Sequence, residues 1–170
     1  MSTPLPWSRL AGWAVFAVAF GVTEAVVAFY IRRAAGNMTP GLDYAQVWAA
    51  RGLPFTSASI ESELRRAGIW RAEQAREVGT LLLLAGAAWG GGRNLRERLG
   101  LLLFTFALWD LAYYAALPFL VGFPRSLAAT DVYFLVPAAW YGPVWFPVLV
   151  VMPTLLAASV RLLRANDGER

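Results

Sequence analysis

The sequence contains no cysteine and no histidine. Their absence excludes disulfide bonds, thiol catalysis, the usual zinc sites and haem held by histidine. It also excludes the Ser-His and Cys-His pairs of common hydrolases, and no phosphate-binding glycine loop follows a strand. A metal would have oxygen ligands only, as Mg²⁺, Ca²⁺ and Mn²⁺ prefer. The residues therefore identify no metal and no cofactor, and they favour a protein that is not an enzyme.

Charged residues are scarce as well. They make up 15% of the 170 residues, against about a quarter in soluble domains, while 58% are hydrophobic and the mean hydropathy is +0.50. All 15 basic residues are arginine, and the sequence pI is about 10.0. These arginines lie beside apolar runs, where positive charge sets topology and meets anionic lipid headgroups. We therefore expect a lipid bilayer as partner and no nucleic acid.

Four apolar stretches approach the roughly 20 residues that a helix needs to cross a bilayer. They cover residues 10–31, 73–92, 99–121 and 143–161. The second stretch is long enough to cross a bilayer only if Arg76 and Glu77 lie at the membrane boundary. The sequence thus predicts an all-α fold, a polytopic transmembrane bundle of about four spanning helices within one domain, 1–170.

The first loop, residues 32–72, is polar and is predicted to be extramembrane or interfacial. From Ser57 onward, apolar residues recur at helical spacing among charged ones. This pattern predicts an interfacial amphipathic helix that continues into the second span. A small extramembrane helical cap is the alternative interpretation.

Four prolines interrupt the apolar region 132–160. Each interior proline removes a helical hydrogen bond, so one straight helix is not expected. We predict a break near Gly142-Pro143, with a short proline-bounded segment, 132–140, at the interface before the last span. Thr130-Asp131 has the composition of an N-cap for a short helix in that segment.

The short loops indicate the orientation of the chain. Arg93, Arg96 and Arg98 fall on the same side as Arg9 and the C-terminal tail, whereas Arg125 falls on the other side. Arginine is enriched in cytoplasmic loops, so we expect both termini in the cytoplasm and the chain in the inner (cytoplasmic) membrane. The long polar stretch 32–77, with seven arginines and five acids, opposes this assignment.

Small residues in the second span form a GxxxG motif at Gly86 and Gly90, supported by Ala87 and Gly91. Motifs of this kind allow two membrane helices to approach closely. We therefore expect another helix to pack against this face.

Four acidic residues lie within or beside the predicted spans: Glu24, Glu77, Asp110 and Asp131. Placing an ionisable group in the bilayer costs at least about 2.5 kcal/mol of insertion free energy. Each acid therefore needs a compensating partner or a function. By helical rise, Glu24 and Asp110 lie about 10 Å and about 16 Å from the non-cytoplasmic ends of their helices. All four acids therefore fall in that half of the membrane or at its midplane.

Neighbouring residues extend this group into a candidate intramembrane polar site. Tyr113 and Tyr114 follow Asp110 by three and four residues, so a phenol can hydrogen-bond Asp110 on the same helix face. Arg76 is a possible counterion for Glu24 or Asp110. The group is either a proton- or cation-handling site or a set of structural pairs that hold the helices together.

Several stretches carry a recognisable pattern. They are the runs 109–114, 123–127, 131–137 and 140–144, together with Thr23-Glu24-Ala25, Tyr30-Ile31-Arg32 and Arg76-Glu77. This pattern resembles a family of small, uncharacterised bacterial multi-pass membrane proteins. The resemblance covers the first helix and most of residues 76–150. It implies a membrane location and no particular activity.

Two functions follow from these features. Small size, aromatic-rich helices and missing catalytic templates favour an accessory or scaffold component of a larger membrane assembly, bound to a membrane-protein partner or to its own copies. The alternative is an oligomeric proton- or cation-coupled small transporter that uses Glu24 and Asp110. A third, weaker hypothesis is an intramembrane enzyme that uses carboxylates and an oxygen-ligated metal.

Overall fold

The computed structural model describes residues 7–38, 65, 68–137 and 139–164, with side chains described only to residue 31 in the first range. Four α-helices make up most of this part of the chain: α1 (Trp7–Met38), α2 (Trp70–Gly91), α3 (Leu95–Val121) and α4 (Met152–Arg164). A π-helical segment, Phe146–Val151, leads directly into α4. The prediction of an all-α fold class is confirmed.

Three helical stretches are long and apolar enough to cross a membrane: Trp7–Ile31, Leu95–Val121 and Phe146–Arg164. They are compatible with a small integral membrane protein. Helix α2 covers the remaining predicted span but is not among them. Its first turns carry several charged residues, which lower its hydropathy.

Helix α3 is the centre of the bundle and contacts α1, α2 and α4. One buried cluster lies in each half of the bundle. Leu84 of α2 packs with Ala17 and Trp109 in the first, and Ala25 of α1 packs with Tyr114 in the second. The outward faces of the helices expose large apolar side chains instead of charges. A bilayer can cover such faces, whereas monomeric soluble proteins rarely show extensive patches of this kind.

The helices alternate in direction. The start of α1 meets the α2–α3 connection, because Arg9 Nη2 donates to the Gly91 carbonyl oxygen at 2.7 Å. The last turns of α4 also reach this end, since a Cβ at Gly100 would lie 2.8 Å from Leu163. The beginning of α1, the short loop and the end of α4 therefore share one end of the molecule.

A two-stranded antiparallel hairpin follows α3. Strand β1 (Thr130–Phe134) pairs with β2 (Trp140–Pro143), with Thr130 opposite Pro143 and a register shift between Val132 and Phe134. The expectation that Thr130-Asp131 caps a short helix is therefore wrong. The β-branched and aromatic residues after Asp131 favour extended backbone, and the returning strand supplies their hydrogen bonds.

The predicted break near Gly142-Pro143 is confirmed. Strand β2 ends at Pro143, and the following π-helical segment begins at Phe146. Pro147 stands at the start of that segment, where a missing N–H costs little.

The predicted amphipathic helix begins at Ser57, and its residues 57–64, 66 and 67 lie outside the described part of the chain. Its proposed continuation into the second span is wrong at Gly68, which has a left-handed φ of 70° and donates to the Arg65 carbonyl oxygen at 3.0 Å. That turn separates Arg65 from α2, which begins at Trp70.

Within the described chain, the two glycines of the GxxxG motif make no close contact, whereas the adjacent Gly91 does. A Cβ at Gly86 or Gly90 would meet nothing within 4 Å. Close approaches between helices occur at Gly91, where a Cβ would overlap the Trp13 ring, at Gly21, which packs against α3, and at Gly100, which packs against α4.

Candidate functional site

A cavity of about 60 Å³ lies between α1, α2, α3 and the first strand of the hairpin. Polar and aromatic side chains line it: Glu24, Arg76, Glu77, Thr80, Trp109, Asp110, Tyr113, Tyr114, Val132, Tyr133 and Phe134. Six of the seven residues proposed from the sequence are in this lining. The seventh, Asp131, lies beside it.

Glu24 is held by partners on α2. It is buried, forms an ion pair with Arg76, and accepts a hydrogen bond from Thr80 Oγ1 at 3.0 Å. Arg76 also donates from Nε to Glu73 at 3.1 Å. Since both Glu24 oxygens have donors, this carboxylate is satisfied by the protein itself.

Glu77 holds the hairpin against α2. Its Oε2 accepts the Leu135 backbone N–H at 2.7 Å in a buried contact. One turn earlier on α2, Gln74 Nε2 donates to the Leu135 carbonyl oxygen at 3.1 Å. Together the two side chains satisfy both backbone groups of Leu135, the residue directly after β1.

Asp110 differs from the other two acids. It is 8% exposed, and its buried Oδ2 accepts no hydrogen bond from the described part of the chain. It lies near enough to Asp131 for the two carboxylates to interact electrostatically. No described cation is paired with it, because the nearby Arg76 is bound to Glu24 and Glu73.

Asp131 reaches this group from β1. Its side chain is hydrogen-bonded to Tyr114, so one of the two phenols expected near Asp110 bonds the acid of the hairpin. Tyr133, two residues further on the strand, donates its hydroxyl to the Pro143 carbonyl oxygen at 2.8 Å. The hairpin therefore adds one carboxylate and one phenol to a site otherwise built from helices.

Several lining residues were not predicted from the sequence, although local signals for two of them existed. Thr80 is four residues after Arg76 and so lies on the same face of α2. Tyr133 is two residues after Asp131, and alternate residues of a strand share a face. No local signal indicated Trp109 or Phe134.

A further buried acid, Glu97, lies outside this cavity and was not predicted from the sequence. Its Oε2 accepts from both the backbone N–H and Nε of Arg93 at 2.9 Å, while Arg9 lies 3.8 Å from Oε1. Asn94 caps α3 by accepting the Glu97 N–H at 2.9 Å. An Asn followed three residues later by Glu is the usual capping pattern, so Glu97 has a structural role at the helix ends.

The chemistry open to the cavity is limited by its lining. Among the described residues, no group of three or more acidic side chains converges as a metal site would require. Trp109 Nε1 is buried without a hydrogen-bond partner, as is Asp110 Oδ2, so the lining offers both a donor and an acceptor. A cavity of this size can hold a few water molecules, which would serve both groups.

Comparisons with protein-family models, curated proteins and solved structures found no match for this chain. The fold and the cavity define a general class of protein. The described chain is mostly helical, has three helices compatible with a membrane protein, and contains buried carboxylates.

Proposed function

We propose that this chain is a small multi-pass membrane protein that binds a proton or a small monovalent cation at Asp110, as the binding step of ion-coupled transport. The observation that carries the proposal is the environment of Asp110, a buried carboxylate whose Oδ2 receives no donor from the described residues. A bound proton or cation would remove or balance its charge.

The free-energy cost of burying Asp110 supports a functional role for this residue. A carboxylate inside a bundle costs free energy unless it is paired, and a polar residue at this depth is usually part of an ion or proton path. Glu24 is explained by its structural partners. Among the described residues, Asp110 has no equivalent ion pair, and Asp131 adds negative charge beside it.

The cavity fits a small ligand. At about 60 Å³ it accommodates an ion and a few waters. Sites for organic ligands of drug size are usually about 300–1,000 Å³. The ligand is therefore of the size of a hydrated ion.

The proposal includes four membrane crossings, with α2 as the fourth, in the inner membrane with both termini cytoplasmic. The arginines of the short loop and the shared end of α1, α2, α3 and α4 support it. Four helices are few for a monomeric carrier, so we propose a homo-oligomer.

Flux through reconstituted liposomes tests this function. The full-length protein should dissipate an imposed proton or monovalent-cation gradient, as measured with an entrapped pH-sensitive or ion-sensitive dye. Asp110→Asn should reduce the flux to that of empty liposomes. Asp167→Asn, the same chemical change in the C-terminal tail, serves as the matched control and should retain it. Equal flux for Asp110→Asn and the unchanged protein, or no flux from either, would refute the proposal.

A second candidate is the accessory or scaffold role. The ion pair of Glu24 with Arg76 favours it, because part of the polar lining has a purely structural use. Purification in mild detergent distinguishes the two functions. A different membrane protein that co-purifies in fixed proportion indicates a scaffold, whereas copies of this chain alone indicate a homo-oligomeric carrier.

A further inference from the structure

The wall of the cavity is strongly aromatic. Five of its eleven lining residues carry rings: Trp109, Tyr113, Tyr114, Tyr133 and Phe134. Aromatic faces attract cations, and desolvated sites of this kind are used for ammonium ligands. The lining thus combines carboxylates with rings that favour positive charge.

The formal charge of the lining also favours a cation. Three carboxylates and one guanidinium line the cavity, so its formal charge is −2, and Asp131 lies just behind it. The guanidinium of Arg76 is engaged by Glu24 and Glu73, two carboxylates that it bridges. The remaining negative charge belongs to Glu77 and Asp110.

Asp110 also requires a hydrogen-bond donor. Its Oδ2 is enclosed and receives none from the described residues. A cation with N–H groups supplies charge and a donor at once. A quaternary ammonium ion supplies the charge alone and would leave this oxygen without a donor.

Metal cations fit the lining less well. Divalent ions such as Ca²⁺ or Mg²⁺ require about six or more oxygen ligands, and the described acids do not converge in that way. Selective alkali-ion sites use rings of carbonyl oxygens to replace the hydration shell. Here ring carbons of residues such as Trp109 and Phe134 occupy much of the wall.

We propose that the cavity selects a small cation bearing N–H groups, of the size of ammonium or methylammonium. In this arrangement the cation donates to Asp110, Asp131 contributes long-range attraction, and the aromatic side chains form the rest of the enclosure. The inference rests on the proposed cation-binding function and specifies its ligand class.

Thermal unfolding of the full-length protein in detergent tests this selectivity. At neutral pH and constant ionic strength, we expect ammonium or methylammonium chloride to raise the unfolding midpoint by about 2–4 °C near saturation. Sodium, potassium and tetramethylammonium chlorides should give no comparable shift. Asp110→Asn should abolish the shift, and Asp167→Asn should preserve it.

A second pair of variants examines the aromatic wall without removing an acid. Tyr133→Phe keeps the ring, whereas Tyr133→Leu removes it. We expect the leucine variant to bind methylammonium roughly 2- to 30-fold more weakly than the phenylalanine variant. Equal affinities would overturn the role of the rings.

Equal shifts with all five salts, or none with ammonium, would overturn the proposed selectivity. The liposome measurement separates this failure from failure of the proposed function. Asp110-dependent proton or sodium flux without ammonium selectivity leaves that function intact. Flux that does not depend on Asp110 would refute both the proposed function and the proposed selectivity.

Discussion

Glu24 and Asp110 are buried acids at related depths with different surroundings. Glu24 receives Arg76 and Thr80 as donors, whereas Asp110 Oδ2 receives none from the described residues. The same chemical change should therefore have opposite consequences at the two positions.

Replacing Glu24 with Gln should destabilise the protein by about 1–3 kcal/mol, because the substitution removes the charge that compensates Arg76 in a partly buried site. Asp110→Asn should leave stability unchanged or raise it, because an amide is less costly to bury than an unpaired carboxylate. Melting temperatures in detergent measure both effects. Similar losses for the two variants would show that Asp110 has a structural partner like that of Glu24.

The acids themselves were predictable from the sequence, since charged residues inside apolar runs are conspicuous. Their partners were less so. The sequence indicated Arg76 as a counterion for Glu24 or Asp110. Its pairing with Glu24 depends on how α1 and α2 are rotated about their axes. Asp131 reaches Asp110 only because the chain turns back after α3, and no local pattern specified that turn.

Helix contacts in this bundle depend on individual glycines. A Cβ at Gly21 would overlap the Trp109 carbonyl oxygen and lie 2.9 Å from the Ala112 Cβ. Gly12, on the same helix, has open space around its Cβ position. The two positions form a natural pair for mutagenesis.

We expect Gly21→Ala to destabilise the protein by about 1–3 kcal/mol, because backbone atoms of α3 must move to admit the methyl group. Gly12→Ala should be neutral or stabilise by up to about 1 kcal/mol, since alanine is the better helix former. Thermal unfolding of both variants in the same detergent is the measurement. A loss at Gly12 equal to that at Gly21 would contradict the close α1–α3 contact.

Two side chains of α2, Glu77 and Gln74, hydrogen-bond the hairpin at Leu135. Glu77→Ala should increase hydrogen exchange across residues 130–143, because a buried charged acceptor of a backbone N–H is lost. Gln74→Ala removes only a partly buried neutral contact and should have a smaller effect. Exchange followed by mass spectrometry compares the two. Unchanged protection in the Glu77 variant would show that the hairpin is held elsewhere.

The helices were predictable because long apolar runs and prolines are local signals. The strands were not. Residues 130–143 are apolar and short, and such runs fit a buried helix or a strand equally well until their partner is known. The GxxxG motif indicated a close helix contact near residues 86–91, but abundant small residues do not specify which glycine faces the other helix; here it is Gly91.

Exposed aromatic residues mark both ends of the bundle. Trp7 and Trp89 are largely exposed near the end that carries the α2–α3 connection, while Phe119 and Trp140 are exposed near the hairpin. Aromatic residues concentrate at the two membrane–water interfaces. Their positions place the apolar helical faces between them.

Topology reporters test the orientation of the whole molecule. Fusions after Arg170 and within residues 93–98 should give cytoplasmic signals, and a fusion near Arg125 should give a signal from the opposite side. These first two fusions should agree, because Arg9 at the start of α1 contacts Gly91 beside residues 93–98, and Leu163 at the end of α4 packs against Gly100 at the same end. A cytoplasmic signal at Arg125 would reverse the assignment.

The fastening of the hairpin to α2 also has a consequence for biogenesis. Glu77 and Asp110 are synthesised well before their neighbours on the hairpin, Leu135 and Asp131. During translation both acids are therefore made before the residues that enclose them. A chain arrested after Val121 should be handled by the cell as an insertion intermediate and degraded, because the segment that encloses its acids has not yet left the ribosome.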